Sequence, residues 1–546
     1  MDKNTITAMI LIAIVIIVSS LMNSNNENFE KQHEVVVEKT TPNVENQQIT
    51  TPVDQVIATE DNVLFEEDTV FVETDLFIAK FSTRGAAVLS WELKNYKSRE
   101  DVNNNINLLV EGTKNLLSEI KLTDGTILKN LNFSSNLKDI HISGEESKSI
   151  NFTSRDNDGN IILEKNLTFY GNRYHFDYDI SLPNLSNRIA ENGIKISWPE
   201  GMNFTEVSGE NLNSEDYFIS SYTYDASGNL TEYSREEEIT ESKTIDWGAT
   251  RTKYFETIIF ADKPIFNNFK TIPSIGKVDY HAIKRSDIGF ELGMKKIDKF
   301  KVYIGPMDYY EFKKYDKDFE STLNWGWDIV RPFSWVILNA LKLFYPLIPN
   351  YGVVIILFSL VINALILPFN IKAFKSTLAM KKIQPYLKEV KEKFPGDLQR
   401  QQQETMALYK KHKVNPFGTC LPSLIPMPIL YGFFIVFRST IEFRSKGFML
   451  WIDDLSLPEV FITLPFNIPL YGGHIGLLPI IMAVFTYLQT KDTITDQNQK
   501  MMIYMMPLML LIFFNNFASG LILYYTIGTI FRYFQQLVTK RNLKVS

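Results

Sequence analysis

Long apolar runs in the last third of the chain constrain its fold more than any other feature. In residues 351–368 nearly every side chain is apolar, enough to cross most of a bilayer as a helix. Asn363 interrupts this run, one helical turn after Ser359. An amide at bilayer depth needs partners, so we expect Asn363 to face a protein-lined or hydrated cavity. The simpler alternative is that it only hydrogen-bonds a neighbouring helix.

Four later segments have a similar apolar composition, and we predict them as further membrane spans after a span at 351–371. One of them, 477–488, is short unless residues 471–475 extend it. With an N-terminal anchor the total is six. The four segments are residues 417–437, 477–488, 501–517 and 521–538.

The loops between these runs predict their orientation. Residues 372–414 carry eleven Lys or Arg against four Asp or Glu, a net charge of +7, which places this loop in the cytoplasm. Residues 440–474 carry a net charge of −2 and belong outside, and the basic tail at 539–546 returns inside. A further span at 321–349 would reverse this order. We therefore predict an amphipathic helix there, lying in the outer interface.

The basic loop at 372–414 is predicted to be a helical hairpin. Pro395-Gly396-Asp397 separates two helix-patterned halves, and Asp397 is placed to cap the second one. These basic faces could meet ribosomal RNA, anionic lipid or a nascent chain, or could simply be solvated and set orientation. The candidate contact residues are Lys381, Lys382, Lys388, Lys391 and Arg400.

The first half of the chain has a different pattern. Residues 1–22 predict an uncleaved transmembrane anchor, and residues 23–62 a flexible polar linker. From 63 to 320, short alternating runs separated by turn signals such as Asp124-Gly125 and Asp158-Gly159 predict a large antiparallel β-sandwich. The charge pattern places this domain outside the membrane. The single cysteine, Cys420, excludes an intramolecular disulfide.

No catalytic or metal-binding constellation is recognisable in the predicted sandwich. His141, His175 and His281 are scattered without ligand spacing, and each is better read as a core or surface histidine. Arg84 is predicted to serve a strand turn. We predict no catalytic residue, metal or cofactor. A membrane-anchored, carbohydrate-active protein remains an alternative, since a sandwich can bind sugars, but it needs converging carboxylates and histidine.

Several short motifs resemble the YidC/Oxa/Alb family of membrane protein insertases, in its long Gram-negative form, over nearly the whole chain. They are residues 406–410, 414–418, 448–454 with Trp451, Ser519-Gly520-Leu521 with Tyr524-Tyr525, Thr83-Arg84-Gly85 and residues 303–306. The resemblance implies a polytopic all-α membrane bundle, with an insertase core at 350–538, joined to a periplasmic β-super-sandwich. It also implies the bacterial inner membrane, with both termini cytoplasmic. The implied partners are nascent membrane proteins, the Sec translocon, the ribosome and the lipid bilayer, with no specific DNA.

The chain departs from the family pattern inside the membrane. Family members usually carry a positive charge five residues before a proline of the second span. Here the proline is Pro368 and the position is the uncharged Asn363. Pro426 and Ala518 replace the usual glutamine and proline elsewhere. We therefore expect a hydrated, hydrogen-bonding groove in which Asn363 acts through polarity rather than charge.

Two sets of side chains are the candidates for handling a substrate. Asn363 and Ser359 would be joined in the groove by Tyr524, Tyr525 and Thr526 of the last span. Unbranched methionines conform to varied apolar partners, and they predict a hydrophobic slide, although ordinary packing explains any single one equally well. The slide residues are Met501, Met505, Met509 and Met427. A transporter or channel is the second alternative, but it predicts internal repeats, and none is visible.

Overall fold

The computed structural model describes residues 66–99, 101–206, 220–233, 237–278, 281–292, 299–412, 426–493 and 500–545. These ranges cover a β domain, a helical region and the contacts between them. The predicted anchor at 1–22, the predicted linker, Cys420 and the motif at 414–418 lie outside the described residues.

Residues 69–306 contain two β-sheets. The smaller sheet has the order β4-β3-β2-β1-β8, and the larger runs β6-β5-β12-β18-β17-β15-β16-β19-β11-β10-β9-β7, with β13 and β14 attached through β15. The pairings are antiparallel except for β1 with β8, which is parallel. The strands are β1 (Thr69–Glu73), β2 (Phe77–Ser82), β3 (Val88–Lys97), β4 (Asn105–Asn107), β5 (Leu117–Leu122), β6 (Ile127–Leu128), β7 (Ser134–Ser135), β8 (Asp139–His141), β9 (Ser147–Arg155), β10 (Ile161–Tyr170), β11 (His175–Ser181), β12 (Ile189–Trp198), β13 (Ser220–Asp225), β14 (Leu230–Tyr233), β15 (Ile239–Arg251), β16 (Phe255–Phe260), β17 (Phe266–Val278), β18 (His281–Leu292) and β19 (Lys299–Pro306).

The two sheets pack face to face, as the alternating sequence predicts. Trp91 of the smaller sheet stacks on Phe77 at 4.0 Å between ring centroids and reaches Phe176 of the larger sheet at 5.6 Å. Two predicted Asp-Gly turns also form, because Gly125 and Gly159 adopt φ of +87° and +86° between paired strands. The predicted antiparallel β-sandwich is therefore confirmed, apart from the one parallel pair.

The rest of the described chain is mainly helical. One helix, α3, is long and apolar enough to cross a membrane, and α5, α6 and α7 are shorter apolar helices, so the polytopic bundle stays a prediction. The helices are α1 (Tyr309–Phe312), α2 (Arg331–Phe344), α3 (Tyr351–Lys393), α4 (Leu398–Lys411), α5 (Pro426–Ser439), α6 (Leu477–Thr493), α7 (Lys500–Phe514) and α8 (Ser519–Val545).

Helix α3 is longer than the sequence pattern predicts. We expected a span at 351–371 and a separate hairpin helix, whereas the structure has one helix of 43 residues. Asn350 caps its start by accepting a hydrogen bond from the backbone of Val353 at 3.2 Å. Pro368 and Pro385 lie inside it, and each removes one backbone donor without ending the helix. The predicted turn does form, since Asp397 accepts from the backbone N–H of Arg400 at 3.0 Å and caps α4.

The predicted extension of the short span at 477–488 is wrong. Residues Gly472–Ile475 form a strand, β21, which pairs with β20 (Ile462–Ile468) to make a hairpin before α6. Two adjacent glycines, Gly472 and Gly473, disfavour a helix there. Helix α6 instead begins at Leu477 and continues to Thr493, further than expected.

Helix α2 is amphipathic, as predicted for residues 321–349. It buries Ile337, Leu338 and Leu341 and leaves Trp335 and Leu343 exposed. Its position in the outer interface of a membrane remains a prediction.

A buried ionic cluster joins the sandwich to the helical region, and we call it the junction cluster. Glu206 of the sandwich forms an ion pair with Arg99 at 2.5 Å and accepts a hydrogen bond from Arg444, in the loop after α5, at 3.1 Å. Arg99 also reaches Asp454 of that loop at 2.9 Å. Arg444 donates further hydrogen bonds to the carbonyls of Lys97 and Thr205, both at 3.0 Å. Two arginines are thus matched by two carboxylates with little exposure to solvent.

Candidate functional site

A partly polar cavity of about 300 Å³ opens between α3, α5, α6, α7 and α8, and we call it the groove. Met427 of α5 and Met506 of α7 contribute an apolar rim. Its hydrogen-bonding lining comes mainly from α3, α6 and α8: Asn370, Thr377, Thr486, Gln489, Thr490, Tyr524, Tyr525, Thr529, Arg532, Gln535 and Gln536. Polar groups that line a cavity among apolar helices destabilise the fold unless water or another polar group in the cavity forms hydrogen bonds with them.

Asn363 and Ser359 lie beside the groove, buried in the contact between α3 and α8. The Asn363 amide donates to the Ser359 carbonyl at 2.8 Å, and the Ser359 hydroxyl donates to the Tyr524 carbonyl at 3.1 Å. The Asn363 side-chain carbonyl accepts from Arg532 Nη1 at 3.5 Å. These two residues link the helices, and Asn363 also supports a cation that does line the groove.

Arg532 is the functional candidate that the sequence pattern did not reveal. Its guanidinium donates to the Thr529 hydroxyl at 3.0 Å and lies 5.5 Å from the centre of the Tyr525 ring. Together with the Asn363 carbonyl, these partners are all neutral. Among the described residues, the Arg532 guanidinium forms no ion pair with an Asp or Glu.

The helices around the groove offer few acidic side chains to Arg532. Helices α5, α7 and α8 contain no Asp or Glu, and α3 contains none before Glu389. Helix α6 contains one, Asp492, in its last turn. A guanidinium has five N–H donors and stays charged at any physiological pH. The groove therefore presents a positive charge with unused donors.

Gly528 allows α3 and α8 to approach at this point. A Cβ at position 528 would lie 3.1 Å from Asn363 Nδ2 and 3.2 Å from Arg532 Nη1, closer than side chains normally pack. Glycine removes that obstruction, so the amide and the guanidinium can meet. The contact between the two helices is thus built into the backbone as well as the side chains.

The three predicted residues of the last span are placed differently from one another. Tyr524 stacks on Phe433 at 3.9 Å between ring centroids and is largely buried, and it lines part of the groove. Tyr525 lines the groove below Arg532. Thr526 turns away and donates to the Leu478 carbonyl at 3.4 Å, so it does not line the cavity.

All four predicted slide residues are exposed, and one of them lines the groove. Met501, Met505 and Met509 lie on the open side of α7. Met427 is exposed and lines the groove itself, as does Met506, which the prediction did not include. Of the exposed methionines on α7, Met506 lines the groove, whereas Met501, Met505 and Met509 do not.

All five predicted contact residues of the helical hairpin are exposed: Lys381, Lys382, Lys388, Lys391 and Arg400. Lys388 pairs with Glu392 at 3.7 Å, and Arg400 lies 4.9 Å from the ring centre of Phe394. The two helices are held together in part by Tyr386 stacking on His412 at 5.3 Å. Most of the basic charge on this hairpin is thus free to meet a partner.

The sandwich histidines do not assemble an active site among the described residues. His175 is nearly buried, and its Nδ1 lies 2.9 Å from the Tyr315 hydroxyl. Burial lowers the pKa of His175 to about 3, so the ring is neutral at physiological pH. His141 is exposed beside Glu73 at 3.0 Å. These positions fit the core and surface roles that the sequence favours for both histidines.

Comparison with known proteins gives consistent matches over both parts of the chain. The family model of the 60 kDa inner membrane protein matches residues 343–546, and that of the YidC periplasmic domain matches residues 69–336. Membrane protein insertase YidC of Chlorobaculum parvum is 34% identical, over 85% of this chain and 80% of the relative. The same protein of Chlorobium luteolum is 33% identical, over 98% of this chain and 94% of the relative. A crystal structure of an active YidC insertase, with its first transmembrane domain resolved, is 19% identical and covers 87% of this chain and 92% of that one, with a TM-score of 0.37.

Proposed function

This chain belongs to the YidC family of membrane protein insertases, and we propose that it inserts its substrates through the groove beside Asn363. It is an inner-membrane protein with a periplasmic domain. We propose that it acts by binding and partitioning, without a catalytic residue or cofactor.

The observation that carries this proposal is that Arg532 has no acidic partner among the described residues, within a mostly apolar helical region. An unfolded polar segment cannot cross about 30 Å of hydrocarbon unaided, because each unpaired backbone group costs several kcal/mol. Asn363 lies thirteen residues after Asn350, or about 20 Å along the helix. With the cytoplasm at the hairpin end, the groove would lie in the inner half of the bilayer and shorten the apolar path.

In this mechanism Arg532 supplies the groove cation, whereas the sequence alone favoured a groove without one. Asn363, Ser359 and Thr529 hold the guanidinium through direct or relayed hydrogen bonds. The free donors of Arg532 and the Tyr525 hydroxyl would receive the polar segment of the substrate. Thr526 would support the helix packing rather than contact substrate.

The apolar segment of the substrate needs a different surface. Met427 and Met506 at the groove, followed by Met501, Met505 and Met509 on α7, supply flexible thioether side chains. We propose that an emerging transmembrane segment leaves the groove along these residues. The exposed lysines of the hairpin would receive the ribosome, and the insertase would act alone or beside the Sec translocon.

The groove is tested by changing Asn363 with the full chain in proteoliposomes. The substrate is a single-span reporter with an uncharged exported tail, and protection of that tail from added protease measures insertion. Asn363→Leu should lower insertion because a hydrocarbon side chain replaces the polar amide beside the groove, whereas Asn363→Gln keeps an amide there and should retain most of it. Normal insertion by Asn363→Leu at equal protein levels would leave this residue as helix-packing contact only.

The orientation is tested by labelling in intact cells. In a Cys420→Ala background, a cysteine at Lys393 should resist an impermeant thiol reagent, whereas one at Asp158 should react. Both positions are exposed, so burial does not explain a difference. The reverse labelling would contradict the proposed topology, with the charged hairpin and both termini in the cytoplasm.

A further inference from the structure

We propose that the β20–β21 hairpin lies in the outer membrane interface, with one face in contact with phospholipid acyl chains. We call residues 460–475 the lipid hairpin. This inference rests on the proposed orientation of the membrane region and adds a lipid contact outside the groove.

The lipid hairpin has no charged residues and exposes large apolar side chains, a composition that is unfavourable in contact with water. Residues 460–475 contain no Asp, Glu, Lys or Arg. Ile462, Phe466 and Leu470 are 50%, 62% and 69% exposed. A contiguous apolar surface of this kind on a soluble domain marks an interaction site. The absence of charge favours hydrocarbon over a charged or strongly polar partner.

The apolar residues alternate along the strand. Within β20, positions 462, 464, 466 and 468 hold Ile, Leu, Phe and Ile, whereas 463, 465 and 467 hold Thr, Pro and Asn; Pro469 and Leu470 follow in the turn. Successive side chains of a strand point to opposite faces, so this alternation gives the hairpin one apolar and one more polar face. That pattern fits a ribbon lying flat on a bilayer better than one immersed in it.

The free edges of the hairpin limit its depth. Only β21 pairs with β20 among the described residues, and the pairing is interrupted between Thr463 and Ile468. Open strand edges are not tolerated in the hydrocarbon core, because their backbone groups would lack partners. In the headgroup region water can satisfy them. The hairpin is therefore expected at the boundary between headgroups and acyl chains.

The contacts at its base place it at that boundary. Glu459 accepts from the Trp451 indole at 2.5 Å and from the backbone of Leu478, at the start of α6, at 2.8 Å. Asn515 donates to the carbonyls of Tyr471 and His474 at 3.1 and 2.9 Å. The base is thus fixed to the ends of α6 and α7 by buried or half-buried polar groups.

The same loop reaches the beginning of the membrane-crossing helix. Phe448 packs directly against Gly352, in the first turn of α3, leaving no room for a Cβ there. Pro458 forms a bridge with Ala518, next to the start of α8. The apolar run of α3 begins at this level, so the hairpin projects from the edge of the hydrocarbon rather than from a point above it.

The experiment measures the depth of single positions in the full chain reconstituted in phosphatidylethanolamine–phosphatidylglycerol vesicles. In a Cys420→Ala background, an environment-sensitive fluorophore is attached to cysteine at Phe466 or Leu470, with Thr463 as the opposite-face control and Asp158 as the aqueous control. Iodide should quench Phe466 at least about three-fold less than Asp158, as expected for an interfacial ribbon. A nitroxide near the glycerol end of the lipid should quench Phe466 more than one near the chain end.

Each other outcome contradicts the inference. Equal iodide quenching at Phe466, Leu470 and Asp158 would place the hairpin in water. Strongest quenching by the deep nitroxide would place it in the hydrocarbon core. Shielding seen in native membranes but absent from vesicles would assign the surface to a protein partner. The readout does not depend on insertion activity, so loss of the groove mechanism would leave it intact.

Discussion

Two sites in this molecule contain buried or partly buried arginines, and they differ in whether carboxylates match the positive charge. In the junction cluster, Arg99 and Arg444 face Glu206 and Asp454, and every charge has an opposite charge within 3.1 Å. In the groove, Arg532 has hydrogen bonds only to neutral groups among the described residues. The charges of the first site are matched within the protein, whereas the charge of Arg532 has no acidic partner among the described residues.

The comparison shows how a matched and an unmatched charge inside a protein differ in their effect on stability. A buried ion pair adds little net stability over apolar packing. Removing one of its partners lowers the free energy of unfolding by several kcal/mol, because the remaining charge stays buried. An unmatched charge is retained at a cost to stability, and a functional requirement is the simplest reason to retain it. Mutations should therefore affect folding at the junction and substrate preference at the groove.

The largest effect is expected at the junction. Glu206→Gln would leave Arg99 and Arg444 facing each other with only Asp454 nearby, which should cost about 3–5 kcal/mol. Hydrogen exchange of the strand and loop residues around Lys97 and Arg444 should accelerate. Insertion of small substrates should fall much less, since the groove lies in the helical region.

Lys94→Gln is the control for that experiment, because it removes a partly exposed pair with Glu73 at 2.7 Å. A surface pair of this kind contributes about 0–1 kcal/mol. If both variants had equally small effects, the junction cluster would not be the compensated buried site described above. If Glu206→Gln abolished insertion in a folded protein, the sandwich would have a direct role in the activity.

Glu256 in β16 offers a third case, a buried carboxyl that becomes neutral instead of pairing with an arginine. Burial raises its pKa from 4.5 to about 7, and the Thr322 hydroxyl donates to it at 2.9 Å. Because the folded protein binds the proton more tightly, stability should fall as pH rises from about 4.5 to 7. Glu256→Gln should remove this slope, worth up to about 3 kcal/mol at neutral pH.

The measurement is thermal unfolding of both proteins in detergent at several pH values. The two midpoints should be similar at low pH and separate as pH approaches 7, with the variant higher. A wild-type midpoint that does not fall relative to Glu256→Gln across this range would show that the carboxyl is not held neutral.

At the groove, Arg532→Gln should change substrate preference more than stability. A reporter with two aspartates in its exported tail should lose about ten-fold in insertion rate, equivalent to about 1.4 kcal/mol. A matched reporter with two asparagines should change by less than about two-fold, since its tail has no charge to attract. Initial rates of tail protection in proteoliposomes measure both.

Two further variants separate charge from geometry at this position. Arg532→Lys keeps a cation and should retain most of the preference for the acidic tail. Asp492→Asn alters the one carboxyl in α6 and should leave the preference unchanged. An equal loss for both reporters in Arg532→Gln would assign Arg532 a structural role only, and no loss for either would remove it from the mechanism.

The smallest effect is expected from Gly528→Ala. The added methyl group would lie within 3.1 Å of the Asn363 amide and push the two helices slightly apart. We expect about a three-fold loss of the acidic-tail reporter, because the guanidinium loses an acceptor whose bond is already long at 3.5 Å. The control is Gly473→Ala in β21, where an added Cβ would have open space around it, and it should have no effect on insertion.

Much of the secondary structure was predictable because residues close together in the sequence determine it. The Asp-Gly turns, the Asp397 cap and the amphipathic pattern of α2 each follow from a few neighbouring residues. The sandwich follows from alternation repeated over many short runs. In such cases local preference and tertiary packing agree, so sequence alone is sufficient.

The groove was less predictable because its chemistry depends on which helices meet. Asn363 was identifiable as a polar residue in an apolar run, but its partner Arg532 lies 169 positions later, in a span that ends near a basic tail. Nothing in α8 indicates that Arg532 faces α3 rather than the cytoplasm. The β20–β21 hairpin was missed for a related reason, since a short apolar run fits a strand or a helix equally well.

The continuity of α3 has a mechanical consequence. Pro368 lies about 27 Å from the start of the helix, near the inner surface of a bilayer about 30 Å thick, and the remaining residues extend about 37 Å beyond it. The helix is therefore a lever with arms of about 27 and 37 Å and a proline between them. A tilt of about 10° would displace the hairpin end by about 6 Å and the bundle end by about 5 Å in the opposite direction. Movement of the hairpin would thereby change the position of Asn363 relative to Arg532.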